Sequence, residues 1–129
     1  MPKPLERILY LEDVQAIADV AIMALEDLAG FDVRHADRGE KAIAALDEFR
    51  PDLCLFDVML PDMDGPETLR RIRALDGHGD LPAIFMTAKA QTHEQEQYAQ
   101  MDILGVIVKP FDPISLGDTI RAFWDAQPG

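Results

Sequence analysis

At 129 residues the chain has the length of one domain, enough to enclose a single core without disulfides or a structural metal. Its 48% apolar and 28% charged residues are a globular balance, and no apolar stretch approaches the roughly 20 residues needed to cross a bilayer. Twelve basic residues against twenty-four acidic ones leave a formal charge of −12, which repels a phosphate backbone and argues against direct nucleic-acid binding.

The N-terminus, Met-Pro-Lys-Pro-Leu-Glu-Arg, lacks the apolar run of a signal peptide, so a cytoplasmic location is expected. The first strand is expected over 8–11 and ends at the acidic pair Glu12 and Asp13. Val14, Ile17, Ala18, Ala21, Leu25 and Leu28 then recur at spacings of three and four, the apolar stripe of a helix that stops at Gly30. Ala16, Val20 and Met23 lie opposite that stripe, and an apolar strip facing water can mark a partner surface. A second strand over 31–36 alternates Phe31, Val33 and His35 with Asp32 and Arg34, as a half-exposed edge strand does.

The next helix carries Ala42, Ile43, Leu46 and Phe49 inward, and Pro51 separates it from a third strand over 53–56. That strand holds Cys54, expected as a buried structural thiol, and is closed by Asp57. Pro66 suits the first turn of a helix running through Leu69 and Ile72, and Gly77–His78–Gly79–Asp80 is a loop. A fourth strand over 81–86 precedes Thr87. The fourth helix, roughly 92–101, has little apolar surface and is expected to be weakly anchored. A fifth strand over 105–108 precedes Lys109 and Pro110, and a last helix after Pro113 buries Leu116, Ile120 and Phe123, with Trp124 toward the edge of that face. His35, His78 and His93 are expected at the surface.

Four near-continuous apolar runs and one alternating run, interleaved with helices, predict an α/β fold, a doubly wound, five-stranded parallel sheet with strand order 2-1-3-4-5 and right-handed crossovers. One domain is expected over 1–129, with no output domain after the last helix. In such sheets ligands bind at the carboxyl ends of the strands. That edge gathers Glu12, Asp13, Asp57, Thr87 and Lys109. Adjacent carboxylates after a buried strand repel each other unless a cation lies near them, and an all-oxygen set suits Mg²⁺. A carboxylate beside Mg²⁺ can attack a phosphoryl donor, with a hydroxyl and an ammonium to meet the charge on the transferred oxygens. Taken singly, each group has an ordinary explanation as a helix start, a cap or a surface lysine. Taken together at one sheet edge, they point to a phosphoryl site.

The segments Leu11-Glu12-Asp13, Asp57-Val58-Met59-Leu60-Pro61 with Met63-Asp64-Gly65, Met86-Thr87-Ala88 and Val108-Lys109-Pro110-Phe111, in this order and spacing, resemble the receiver domains of two-component response regulators along essentially the whole chain. The resemblance implies that Asp57 is the phosphoacceptor, that Asp13, Asp57 and the backbone carbonyl of Met59 bind Mg²⁺, and that Glu12 acts through a coordinated water. It implies that Thr87 moves to hydrogen-bond the phosphoryl group, that Lys109 pairs with its oxygens, and that the Lys109–Pro110 peptide is cis. It further implies a histidine kinase or histidine phosphotransfer protein as donor, docking at the start of the first helix around Val14 and Val20. The downstream protein partner, unknown from the sequence, would bind the fourth helix, last strand and last helix. Self-phosphorylation and autodephosphorylation are the only reactions expected of the chain.

Three positions bear on departures from the family's pattern. Val106 stands where the family's switch aromatic normally lies, so phosphorylation cannot be reported by ring burial there. Met59 and Lys89 hold the positions that tune loss of the phosphoryl group, and a bulky Met59 is expected to limit water access and lengthen its lifetime. Met59 also counts against a Mg²⁺-dependent phosphohydrolase with an aspartyl nucleophile, which would usually carry a second carboxylate at that place as general acid. A flavodoxin-like cofactor site is disfavoured because Glu12 and Asp13 would repel a phosphate, and no glycine-rich dinucleotide loop or P-loop occurs.

Overall fold

The computed structural model describes residues 2–88, 98 and 100–128. Its strands β1 (Arg7–Leu11), β2 (Asp32–Ala36), β3 (Leu53–Asp57), β4 (Ala83–Thr87) and β5 (Gly105–Val108) form one parallel sheet in the order β2-β1-β3-β4-β5. The helices are α1 (Gln15–Met23), continued by a wider turn over Ala24–Leu28, then α2 (Gly39–Phe49), α3 (Gly65–Arg73) and α4 (Leu116–Asp125). The helix expected over 92–101 falls mostly outside the described residues, as do Lys89 and His93.

Because side chains alternate across a strand, each strand feeds two cores. On one face Ile8, Tyr10, Leu53, Leu55, Ile84, Met86 and Ile107 pack against α1 and α4. On the other, Leu9, Leu11, Cys54, Phe56, Ala83 and Phe85 pack against α2 and α3. β1, β3 and β4 have partners on both sides and are covered on both faces, which is why their sequences are nearly all apolar. Cys54 is fully buried among them, and burial pushes its thiol well above the usual range, as an inert structural cysteine requires. β2 lies at the edge, as its alternation predicts.

The first helix departs from the expected stripe. Ile17 is half-buried and Ala18, Ala21 and Leu25 are buried, but Val14 is 47% exposed and Leu28 57% exposed. The Ala29 N–H donates to the Ala24 carbonyl five residues back, so the last turn holds one extra residue. That insertion turns Ala24 and Leu25 inward as neighbours and rotates Leu28 out to water. Gly30 then ends the segment at φ +82, the left-handed conformation that glycine adopts without penalty.

Elsewhere the corrections are small. In α2, Ala42, Leu46 and Phe49 are buried while Ile43 is only partly so. In α4 the two aromatics exchange places: Trp124 is buried at four-residue spacing from Ile120 and Leu116, and Phe123 is half-buried. Trp124 has a polar reason to face inward, since its Nε1–H donates to the Lys3 carbonyl at 2.7 Å. His78 is half-buried too, 3.4 Å from Asp47 Oδ1.

Candidate functional site

Parallel strands bring all their carboxyl ends to one edge, and backbone bonds lock the loops there together. The Glu12 N–H donates to the Ala36 carbonyl (3.1 Å), Val58 N–H to Met86 (2.9 Å) and Lys109 N–H to Thr87 (2.8 Å). Asp57 and Thr87 are the last residues of β3 and β4, and Glu12 and Lys109 directly follow β1 and β5. The loop after Asp57 is pinned by Gly65, whose N–H donates to the Val58 carbonyl at 3.2 Å. A Cβ on Gly65 would overlap the Asp57 carbonyl oxygen, so only glycine permits this approach. Asp64 then caps α3 by accepting from the Glu67 N–H at 2.8 Å, with Pro66 in the first turn as expected.

At this edge carboxylate oxygens of Glu12, Asp13 and Asp57 all lie within 4.8 Å of one another. Glu12 is fully buried, Asp57 is nearly so, and Asp13 is exposed. Lys109 Nζ sits between the two buried acids, 2.6 Å from Glu12 Oε1 and 3.1 Å from Asp57 Oδ2. Glu12 Oε2 accepts from the Val14 N–H at 3.2 Å, tying the acid to the start of α1. Its carbonyl accepts from His35 Nε2–H at 2.9 Å. His35 is thus not a bystander of the surface but a brace for the β1 terminus, and its ring also meets Tyr10 at 5.7 Å between centroids.

The electrostatics follow from the crowding. Burial first, then the Glu12 charge, push the Asp57 carboxyl up to about 6, with Lys109 pulling the other way. Burial alone would lower Lys109, but its bonds to Glu12 and Asp57 carry it above its ordinary value. Among the described residues, one ammonium faces three carboxylates, which leaves the cluster short of positive charge. The oxygen donors, the two buried and one open to water, fit a hard divalent cation that keeps part of its hydration shell.

Thr87 is buried at the end of β4, one backbone bond from Lys109. The Lys109–Pro110 peptide is cis, as expected. Met59 lies two residues past Asp57 and is 62% exposed. Val106 pairs with Phe85 in the β4–β5 register and is only partly buried. On this face Phe85 meets Tyr98 edge to face with centroids 5.3 Å apart.

Comparison with known proteins gives the same picture. A family model described as the response regulator receiver domain matches residues 8–121. The chain is similar to the DNA-binding dual master transcriptional regulator RpaA of Synechocystis (34% identical, 90% of this chain and 48% of that one). It is also similar to the DNA-binding response regulator MtrA of Mycobacterium tuberculosis (35% identical, 91% and 50%). It therefore spans about half the length of the curated relatives it matches. Among solved structures, the chemotaxis protein CheY4 of Vibrio cholerae superposes with a TM-score of 0.85 at 26% identity, covering 93% of this chain and 99% of that one. A CheY-like receiver domain protein of Methanospirillum hungatei reaches 0.81 at 30% identity, covering 95% of each.

Proposed function

This chain belongs to the response regulator receiver family, whose members are phosphorylation-controlled signalling switches, and from that premise we propose that Asp57 is its phosphoryl acceptor. The observation that carries the assignment is the Lys109 ammonium held between Glu12 and Asp57 at the centre of a three-carboxylate cluster.

In the reaction an Asp57 carboxylate oxygen forms a bond to phosphorus. The bond from phosphorus to the donor atom breaks, and its electron pair leaves with a histidine ring nitrogen or with the carboxylate of a small acyl phosphate. With a carboxyl pKa near 6, Asp57 is mostly ionised at neutral pH and able to attack. Lys109, already 3.1 Å from the Asp57 oxygen, meets the negative charge of the transferred oxygens, and Thr87 offers a hydroxyl from the neighbouring strand end. Asp13, Asp57 and the Met59 carbonyl, with Glu12 beside them, would hold Mg²⁺, which when bound offsets the charge of both acids and phosphoryl oxygens.

The donor is a histidine kinase or histidine phosphotransfer protein, and its docking face is the exposed side of α1. Val14 and Val20 are 47% and 40% exposed there. Val20, with Ala16 and Ile17, borders an apolar groove of about 540 Å³ whose far wall is Lys109, Pro110 and Phe111. A partner seated in that groove would touch the active lysine directly.

The test is incubation with Mg²⁺ and acetyl phosphate followed by intact mass. A gain of one phosphate, absent in Asp57→Ala, is expected; a gain that survives in that variant would move the acceptor elsewhere.

A further inference from the structure

β1 carries one residue that its packing does not explain. Ile8, Leu9 and Leu11 are aliphatic, yet Tyr10 between them is a phenol with no exposed surface, and its hydroxyl has no hydrogen-bond partner among the described residues. Phenylalanine would fill the same space between the sheet and α1 without burying an unpaired hydroxyl, which is costly and uncommon in folded proteins. A lone buried donor of this kind calls for a partner that arrives in another state of the molecule.

The neighbouring groups say which one. Tyr10 and Glu12 stand on the same face of β1, two residues and roughly 7 Å apart, a distance a side chain leaning along the strand can bridge. Opposite Tyr10 in register is Leu55, two residues before Asp57 on the same face of β3. Tyr10 thus shares its face of the sheet with both acids. A phenol keeps its proton at neutral pH, so the group remains a donor.

Glu12 is the acid that will need one. It is fully buried, with the Lys109 ammonium at 2.6 Å on Oε1 and one backbone N–H at 3.2 Å on Oε2. When Lys109 turns to a phosphoryl group on Asp57, Oε1 loses that donor, and a buried carboxylate oxygen left without a hydrogen bond is unfavourable. We propose that the Tyr10 hydroxyl is a positioning donor held in reserve for Glu12, engaging its carboxylate as Lys109 moves to the phosphoryl group. This inference rests on Asp57 being the acceptor.

Tyr10→Phe tests it, together with tyrosine labelled with ¹³C at Cζ. The chain has two tyrosines, so two signals appear and the variant assigns them. The Tyr10 signal should move when Mg²⁺ and beryllium fluoride, a phosphoryl mimic, are added to the wild-type protein. Tyr10→Phe should melt at the wild-type temperature or above it without ligands, yet gain a smaller rise from Mg²⁺ and beryllium fluoride. Its phosphorylation by acetyl phosphate should slow about two- to tenfold. A stationary Tyr10 signal, or a variant that melts lower but phosphorylates at the wild-type rate, overturns the reserve-donor role while leaving Asp57 in place. A wild-type protein that takes up no phosphate sinks the acceptor assignment instead.

Discussion

Lys109 Nζ approaches Glu12 Oε1 to 2.6 Å and Asp57 Oδ2 to 3.1 Å, so the lysine is held most closely by an acid 97 residues away and less closely by the proposed acceptor. It neutralises part of a cluster that would otherwise place two buried carboxylates side by side. Lys109→Ala should therefore lower the stability of the metal-free protein by on the order of 3 kcal/mol, and added Mg²⁺ should restore part of the loss. Urea unfolding with and without Mg²⁺ measures both. A variant as stable as the parent in chelator would show that the ammonium is not needed to compensate the acids.

Asp13 is the exposed member of the acid cluster, so its removal separates metal binding from folding. Asp13→Ala should melt close to the parent temperature in EDTA, and the rise that Mg²⁺ gives the parent should largely vanish. Thermal melts across a Mg²⁺ titration decide this. An undiminished rise would place the ion away from Asp13.

Gly65 admits no side chain because the Asp57 carbonyl occupies the space a Cβ would need. Gly65→Ala should cost about 1–3 kcal/mol and slow phosphorylation together, since any relief of the overlap displaces the backbone of Asp57, the proposed acceptor. Chemical denaturation and acetyl phosphate kinetics on the same preparation would expose a loop that yields without disturbing Asp57.

At the opposite pole Asp52 accepts from the backbone N–H groups of Glu6 and Arg7 at 3.1 and 2.9 Å and pairs with Lys3 at 2.8 Å. Burial opposes its ionisation, but the bonds to Lys3, Arg7 and Glu6 win, and the carboxyl lies below its ordinary 3.8. A depressed acid stabilises the fold above its unfolded pKa and loses that contribution as pH falls through the folded one. Asp52→Asn should thus cost about 1–2 kcal/mol at pH 7, and the gap to the parent should close as pH drops below about 3.8. A gap that stays constant to pH 3 would remove the charge from the explanation.

Val20 borders the groove beside Lys109, whose lining includes none of the acids. Val20→Glu should slow transfer from a phosphorylated histidine protein about tenfold or more while leaving uptake from acetyl phosphate and the melting temperature near the parent values. Equal loss with both donors would mean that the substitution disturbs the site and not the docking.

Much of this was legible before any coordinates. Apolar runs covered on both faces read directly as parallel strands, and topology then forces their ends to one edge, so the positions of Glu12, Asp57, Thr87 and Lys109 followed from strand boundaries alone. What was not legible depends on one-residue details. The extra residue in the Ala24–Leu28 turn breaks the 3.6 period that placed Leu28 inside. Trp124 outranks Phe123 for the core because a carbonyl from Lys3 waits for its indole, a contact across the whole chain. His35 reads as a surface histidine on an edge strand, yet that edge is where β1 needs a donor for the Glu12 carbonyl. The fully buried Tyr10 passed as one more apolar strand residue, although a phenol in an aliphatic run was the available signal.

The indole of Trp124 is bound to Lys3 among residues that precede β1, β3 and β4, at the end of the strands remote from the carboxylates. Since it is the chain's one tryptophan, native emission will report on how the first and last segments are clasped together and stay largely blind to events at Asp57. An optical readout of signalling in this molecule needs a fluorophore introduced near the acids.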